Sequence, residues 1–178
     1  KGREPRMPWS RILQELLEDE GRNARITELL AGIAPGRRTL VLSVRVSHCE
    51  ELARRLRERL PHLRIDVIHG GTPKLERATI LDDARNGLVD VLFSVNIAKE
   101  GLDVPCLDQL VLVGASRDPI YIRQAIGRIQ RPAPGKHRAD VWDVADFACP
   151  VLRAQYWQRA RIYREMGIVK EAKAKRTA

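Results

Sequence analysis

In the stretch YIRQAIGRIQRP (121–132), Gln124, Arg128 and Arg131 fall at positions i, i+4 and i+7 of a helix that Pro132 must end. The planar, permanently charged guanidinium suits phosphate oxygens, and two arginines three apart on a helical face can grip one anion together. A phosphate is the expected ligand; a solvent-facing pair bonded to surface carboxylates is the plain alternative. A second stretch, EGLDVP (100–105), adds complementary groups. Gly101 permits close backbone approach, and Asp103 is an acceptor suited to ribose hydroxyls, although an aspartate there is by itself an ordinary turn former.

These residues need a frame to bring them together. Five apolar runs read as strands: TLVLSV from Thr39, RIDVIH from Arg64, DVLFSV from Asp90, QLVLVG from Gln109 and ADVWDVA from Ala139. Between the first two, Cys49, Leu52, Ala53, Leu56 and Leu60 line one helical face, with Ser47 and Glu50 at capping-box spacing. TPKLERATILDDARNG follows as a helix expected to start on Thr72 as N-cap with Pro73 in its first turn and to stop before Gly87. Asp118 and Pro119 give the same cap-plus-proline signal for the arginine-bearing helix. Strands joined through helices pair in parallel, and such sheets bind ligands beyond the carboxyl ends of their strands. The loops to watch therefore begin at Val44, His69, Ser94, Gly114 and Ala145. SRILQELLEDE and RNARITELLAGIA read as helices leading into the sheet. PVLRAQYWQRARIYREMG reads as an amphipathic helix packing Leu152, Tyr156, Ala160 and Tyr163 back on the domain.

Composition narrows the function classes. The 178 residues suit one domain with its own core, and no uncharged apolar run approaches the roughly 18 residues that span a bilayer, so no membrane role is expected. The polar, basic start KGREPRMPWS does not read as a secretory signal, and a cytoplasmic protein is expected. Cys49, Cys106 and Cys149 are far apart and outside any C-x-x-C pattern, which argues for buried thiols and against disulfides, zinc or another metal site. His48 and Cys49 are helix neighbours and should not meet. The net charge of +9 attracts polyanions, and from Pro150 onward eight basic residues face two acidic ones.

The order strand, EGLDVP, strand, proline-capped helix with Q-x-x-G-R-x-x-R resembles the carboxyl-terminal RecA-like lobe of superfamily 2 helicases, over Arg22 to Tyr163. TLVLSVRVSHCEELA resembles motif IV, HGGTPKLERATILDDARNG the segment after it, SVNIAKEGLDVP motif V and QAIGRIQR motif VI. RPAPGK and the helix beyond it are most similar to DEAD/DEAH-type DNA helicases of the bacterial and phage XPB and restriction-subunit branch. The resemblance implies an α/β RecA-like three-layer sandwich. It implies a linker and helix over 1–20, the RecA-like domain over 21–148, and a helix and basic tail over 149–178. It further implies that Arg128 and Arg131 reach the γ-phosphate of ATP lying on another lobe, that Gln124, Gly101 and Asp103 stand near the nucleotide, and that Arg45, Gly70 and Ser94 touch the nucleic-acid backbone, DNA before RNA. Ala125 stands where many members carry arginine, and Ser94 where threonine is commoner.

No G-x-x-x-x-G-K-[ST] phosphate loop and no DEAD-like acid pair occur in the sequence, so ATP and Mg²⁺ would be held by an amino-terminal lobe, and this chain alone is expected to be inactive. The rival reading is a non-catalytic basic adaptor for nucleic acid or protein. A dinucleotide-binding enzyme would need a glycine-rich turn after the first strand, where SVRVSH has none.

Overall fold

The computed structural model describes residues 8–95, 102–114 and 118–168. Five strands, β1 (Thr39–Leu42), β2 (Ile65–Ile68), β3 (Val91–Ser94), β4 (Gln109–Leu112) and β5 (Asp140–Asp143), form one sheet in the order β2-β3-β1-β4-β5. All four pairings are parallel, and Leu40 sits between Leu92 and Leu110 in register. The five expected strands are all present, and the fold is the expected RecA-like α/β sandwich. The helices are α1 (Trp9–Glu18), α2 (Glu20–Ile33), α3 (Val46–Arg59), α4 (Lys74–Arg85), α5 (Pro119–Ile129) and α6 (Pro150–Glu165).

Alternation within the strands builds two cores. Leu40, Leu42, Leu92, Leu110 and Leu112 point to one face, where Ile80 and Leu81 of α4, Ile122, Ile126 and Ile129 of α5 and Ile162 of α6 cover them. Val41, Val91, Phe93, Val111 and Val113 point to the other, under Ile26 and Leu30 of α2 and Leu52 and Leu56 of α3. Burial on both faces explains why these strands read as continuous apolar runs.

Three helix ends differ from expectation. The Arg45 carbonyl already accepts the Cys49 N–H at 3.2 Å, so α3 starts at Val46 and Ser47 lies inside it, with no capping box. Thr72 Oγ1 accepts the His69 N–H at 3.0 Å, closing the preceding loop, and Pro73 takes the N-cap position of α4. Helix α5 ends at Ile129, because the residue before a proline is pushed out of the helical region, so Arg131 lies beyond the helix. Other signals hold. Asp118 accepts the Ile120 and Tyr121 N–H groups at the start of α5. At the end of α4, Gly87 donates to Ala84 and Leu88 to Asp83, a Schellman closure.

Helix α6 packs on the domain, but not as a stripe of aromatic core residues. Leu152, Gln155, Arg159, Ala160 and Ile162 are buried, whereas Tyr156 and Tyr163 are only partly so. Among the cysteines only Cys49 is fully buried, its thiol pushed up to about 12 by burial; Cys106 and Cys149 are partly exposed. No helix among the described residues is long and apolar enough to cross a membrane.

Candidate functional site

The segment 102–107 crosses the sheet end as an alternating strip. Leu102, Val104 and Leu107 enter the core beneath α5, and the residue between the first two, Asp103, faces out. Two clamps hold it there. Arg85 Nε of α4 donates to the Asp103 carbonyl at 3.0 Å. Lys136 Nζ donates to the carbonyls of Pro105 at 2.9 Å and Arg131 at 2.8 Å, tying the Asp103 strip to the end of α5. Burial of the ammonium lowers the pKa of Lys136 below its ordinary value. Lys136 was missed by sequence reasoning, although the turn that aims it is legible: Pro134 and Gly135, with φ of 72° at the glycine, close a turn from Ala133 to Lys136.

On this rim the two arginines converge. Arg131 Nη1 bonds Asp103 Oδ1, and Arg128 Nη1 stands 3.7 Å from the same oxygen. All three side chains stay open to solvent, at 29% for Arg128, 45% for Arg131 and 55% for Asp103. Gln124, one turn before Arg128 on α5, is exposed and has no hydrogen-bond partner among the described residues. Asp103, Gln124, Arg128 and Arg131 thus share one neighbourhood. Gly101 lies outside the described residues.

The expected backbone-contact residues are dispersed. Arg45 is exposed at the N-cap of α3, beyond the end of β1. Gly70 is exposed beyond β2, two strands and about 10 Å away across the sheet. Its carbonyl accepts from Arg77 Nη2, which also binds the His69 and Thr72 carbonyls and so fixes the loop. A Cβ at Gly70 would meet nothing, so space alone does not require glycine there. Ser94 ends β3 between two neighbouring strands, is fully buried, and its Oγ has no partner among the described residues.

At the carboxyl ends of the strands lies a buried polar network that sequence reasoning also missed. Asn23 Nδ2 donates to the Leu17 carbonyl, which leaves Asn23 Oδ1 to accept from His48 Nε2 at 3.0 Å; His48 Nδ1 then accepts from Ser43 Oγ at 2.7 Å. Burial, reinforced by the Arg22 charge and opposed by Glu51, holds His48 down to about 4, hence neutral. Arg22 donates through Nε to Asp146 and through Nη2 to the Val113 carbonyl, both at 2.8 Å. The ends of β1, β4 and β5 are therefore pinned together. Gly114 is required by the same closeness, since a Cβ there would stand 2.9 Å from the Val44 nitrogen. As expected, His48 and Cys49 have separate partners, the Cys49 thiol turning to the Ser94 carbonyl.

A parallel five-stranded sheet with two arginines converging on one carboxylate at the end of its α5 helix matches a known family. Residues 21–133 match the model of the helicase conserved C-terminal domain. The chain belongs to that family. UvrABC system protein B of Caldanaerobacter subterraneus subsp. tengcongensis is 31% identical over 116 residues, covering 62% of this chain and 17% of that protein. The helicase C-terminal domain here thus spans about one sixth of the length of the curated relatives it matches. Among solved structures, T4 UvsW superposes with a TM-score of 0.73 at 17% identity, over 90% of this chain and 35% of that one. The C-terminal domain of the DEAD-box protein Dbp5 superposes with a TM-score of 0.67 at 20% identity, over 85% and 82%. The fold is that of a helicase C-terminal domain.

Proposed function

We propose that this lobe completes the ATP site of a DNA helicase or translocase whose phosphate loop and acid box lie on a separate amino-terminal lobe. The observation that carries the reading is the convergence of Arg128 and Arg131 on one anionic oxygen at an open rim. The Asp103 carboxylate is a stand-in for a phosphate oxygen. A γ-phosphate entering the interlobe cleft replaces it, and the freed carboxylate accepts from a ribose hydroxyl instead. Gln124, one turn away on α5, supplies an amide beside the same nucleotide.

ATP is the substrate, and the residues present fit its phosphates and ribose. Mg²⁺, held by the first lobe, would neutralise charge between the phosphates. During hydrolysis the two guanidiniums stabilise the charge that gathers on the transferred group, the role of an arginine finger. Closure of the lobes then alters the grip on the nucleic-acid backbone, to which Arg45 contributes a charge and Gly70 its amide. The buried Ser94 hydroxyl takes no part.

The test is Arg131→Ala in the two-lobed protein. The turnover number for ATP should fall by on the order of 10³ or more with nucleotide affinity much less affected, and Arg131→Lys should recover little because ammonium lacks the planar fork. Hydrolysis at the wild-type rate would end this assignment.

A further inference from the structure

The outward face of α6 carries a feature that the helicase reading does not use and that lies beyond the family-matched span 21–133. Phe147, in the loop after β5, and Trp157, on α6, are 47% and 56% exposed. Tyr156 links the two rings, its centroid 5.0 Å from Phe147 and 5.1 Å from Trp157 in edge-on geometry. Such a set of aromatic side chains on a solvent face is not core.

The charges along it are mainly basic, and its carboxylates are already paired. Arg153, Trp157, Arg161 and Arg164 fall at i, i+4, i+8 and i+11, a single stripe, and all four are exposed. Arg153 and Arg164 make no ion pair among the described residues. Glu165, the carboxylate beside them, is held between Arg161, at 2.8 Å, and Arg123 of α5. Its pKa is lowered by those two hydrogen bonds, so it stays an anion already neutralised by its neighbours. Beyond α6 the sequence adds Lys170, Lys173, Lys175 and Arg176.

The face is also held rigidly. Arg159, on the opposite side of α6, bonds both oxygens of Asp143 at 2.8 Å, and Tyr163 Oη donates to the same carboxylate at 2.7 Å. Leu152 and Ile162 are buried beside them. Rings fixed in place lose little freedom when a flat ligand covers them.

We infer that the Phe147–Tyr156–Trp157 face of α6 is a stacking platform for the bases of single-stranded nucleic acid, with Arg153 and Arg164 on the flanking phosphates. Every base has a π-face, so such a platform grips a strand without reading its sequence, while the cations track the backbone. With a rise of 1.5 Å per residue, Arg153 and Arg164 stand about 16 Å apart along α6 with Trp157 between them. The inference rests on the reading that this lobe handles nucleic acid, but it adds a contact to bases where the rim residues offer only contacts to the backbone.

The experiment uses the 178-residue chain and fluorescence anisotropy with three labelled strands of about a dozen nucleotides: oligothymidylate, oligouridylate and an abasic deoxyribose-phosphate strand of equal charge. Wild type should bind the base-bearing strands on the order of tenfold more tightly than the abasic one. Trp157→Ala and, independently, Phe147→Ala should erase most of that difference while circular dichroism and melting stay unchanged. Arg153→Ala should weaken all three strands alike and reduce the slope of log K against log salt by about 0.7. A preference for the DNA or the RNA strand supports the platform and names its ligand.

Equal affinity for base-bearing and abasic strands overturns the proposal. So does unchanged strand binding by a folded Trp157→Ala variant that binds the first lobe, added as a separate polypeptide, less well; the face would then be a protein contact. Neither result touches the arginine-finger assignment, which is read from ATP turnover.

Discussion

On β5, Asp143 engages Arg159 through two bonds of 2.8 Å, takes a third from Tyr163, and the pair is 5% and 7% exposed. On the rim, Asp103 offers one oxygen to two guanidiniums that remain 29% and 45% exposed. The chemistry of the partners is the same, and the difference lies in water and stoichiometry. Taking two charges from water is costly, and only good geometry with every lone pair satisfied makes a buried pair tolerable, which then fixes one arrangement. An exposed pair gains little from its partner, so exchanging that partner for another anion costs little. The first contact is an anchor for α6, and the second is a resting position for residues that must move to a ligand.

The sharpest way to break this contrast is to remove one member of the anchor. Arg159→Ala leaves Asp143 buried and charged with only the tyrosine hydroxyl, and should destabilise the chain by about 3–5 kcal/mol in urea unfolding, loosening α6 from β5. The phenol of Tyr163 is raised above its ordinary value by burial and by Asp143, so it remains a donor throughout the range in which the protein can be studied. A loss below about 1 kcal/mol would place the anchor in the same class as an exposed pair.

A second prediction sharpens the same division through pH. His48 is held at about 4 in the fold against an ordinary 6.5, so between these values the unfolded chain binds the extra proton and the folded chain does not. Stability is therefore full at neutral pH and is lost as pH falls from about 6.5 toward 4, reaching a loss of about 2 kcal/mol by pH 5. Thermal or urea unfolding across this window should show the slope, and His48→Gln should flatten it. A wild-type curve without the slope would mean that His48 titrates freely and that the Asn23–His48–Ser43 network is not closed.

How much of this was legible depends on the distance over which each constraint acts. The strands, the Asp118 cap and the Gly87 stop are written in neighbouring residues, and each lies where local chemistry placed it. The helix-end errors arose where a local signal met a competing partner, as when Thr72 closed a loop instead of capping α4. The conjunction of Asp103 with Arg128 and Arg131 was readable only as motif order, since the residues lie 25 and 28 positions apart. Asn23, His48 and Ser43 carried no such order. Their network depends on the α2–α3 packing, which no spacing rule reports. The burial of Ser94 becomes readable only once the flanking strands are placed, and Tyr156 and Tyr163 proved only partly buried because helical spacing alone cannot say which face the sheet will cover.

The mildest prediction concerns the rim itself. Asp103→Asn removes the charge that holds Arg128 and Arg131 and keeps the size of the side chain, while the backbone clamps from Arg85 and Lys136 remain. Because the pair is open to solvent, unfolding free energy should change by less than about 1 kcal/mol, and the change should shrink further in molar salt, where the screening length falls to about 3 Å. The released guanidiniums should at the same time bind inorganic tripolyphosphate more tightly than wild type at low salt, since the resident carboxylate no longer competes. A loss of stability comparable to that of Arg159→Ala would make Asp103 a second anchor, and the arginines would then be held by the fold instead of waiting on its surface.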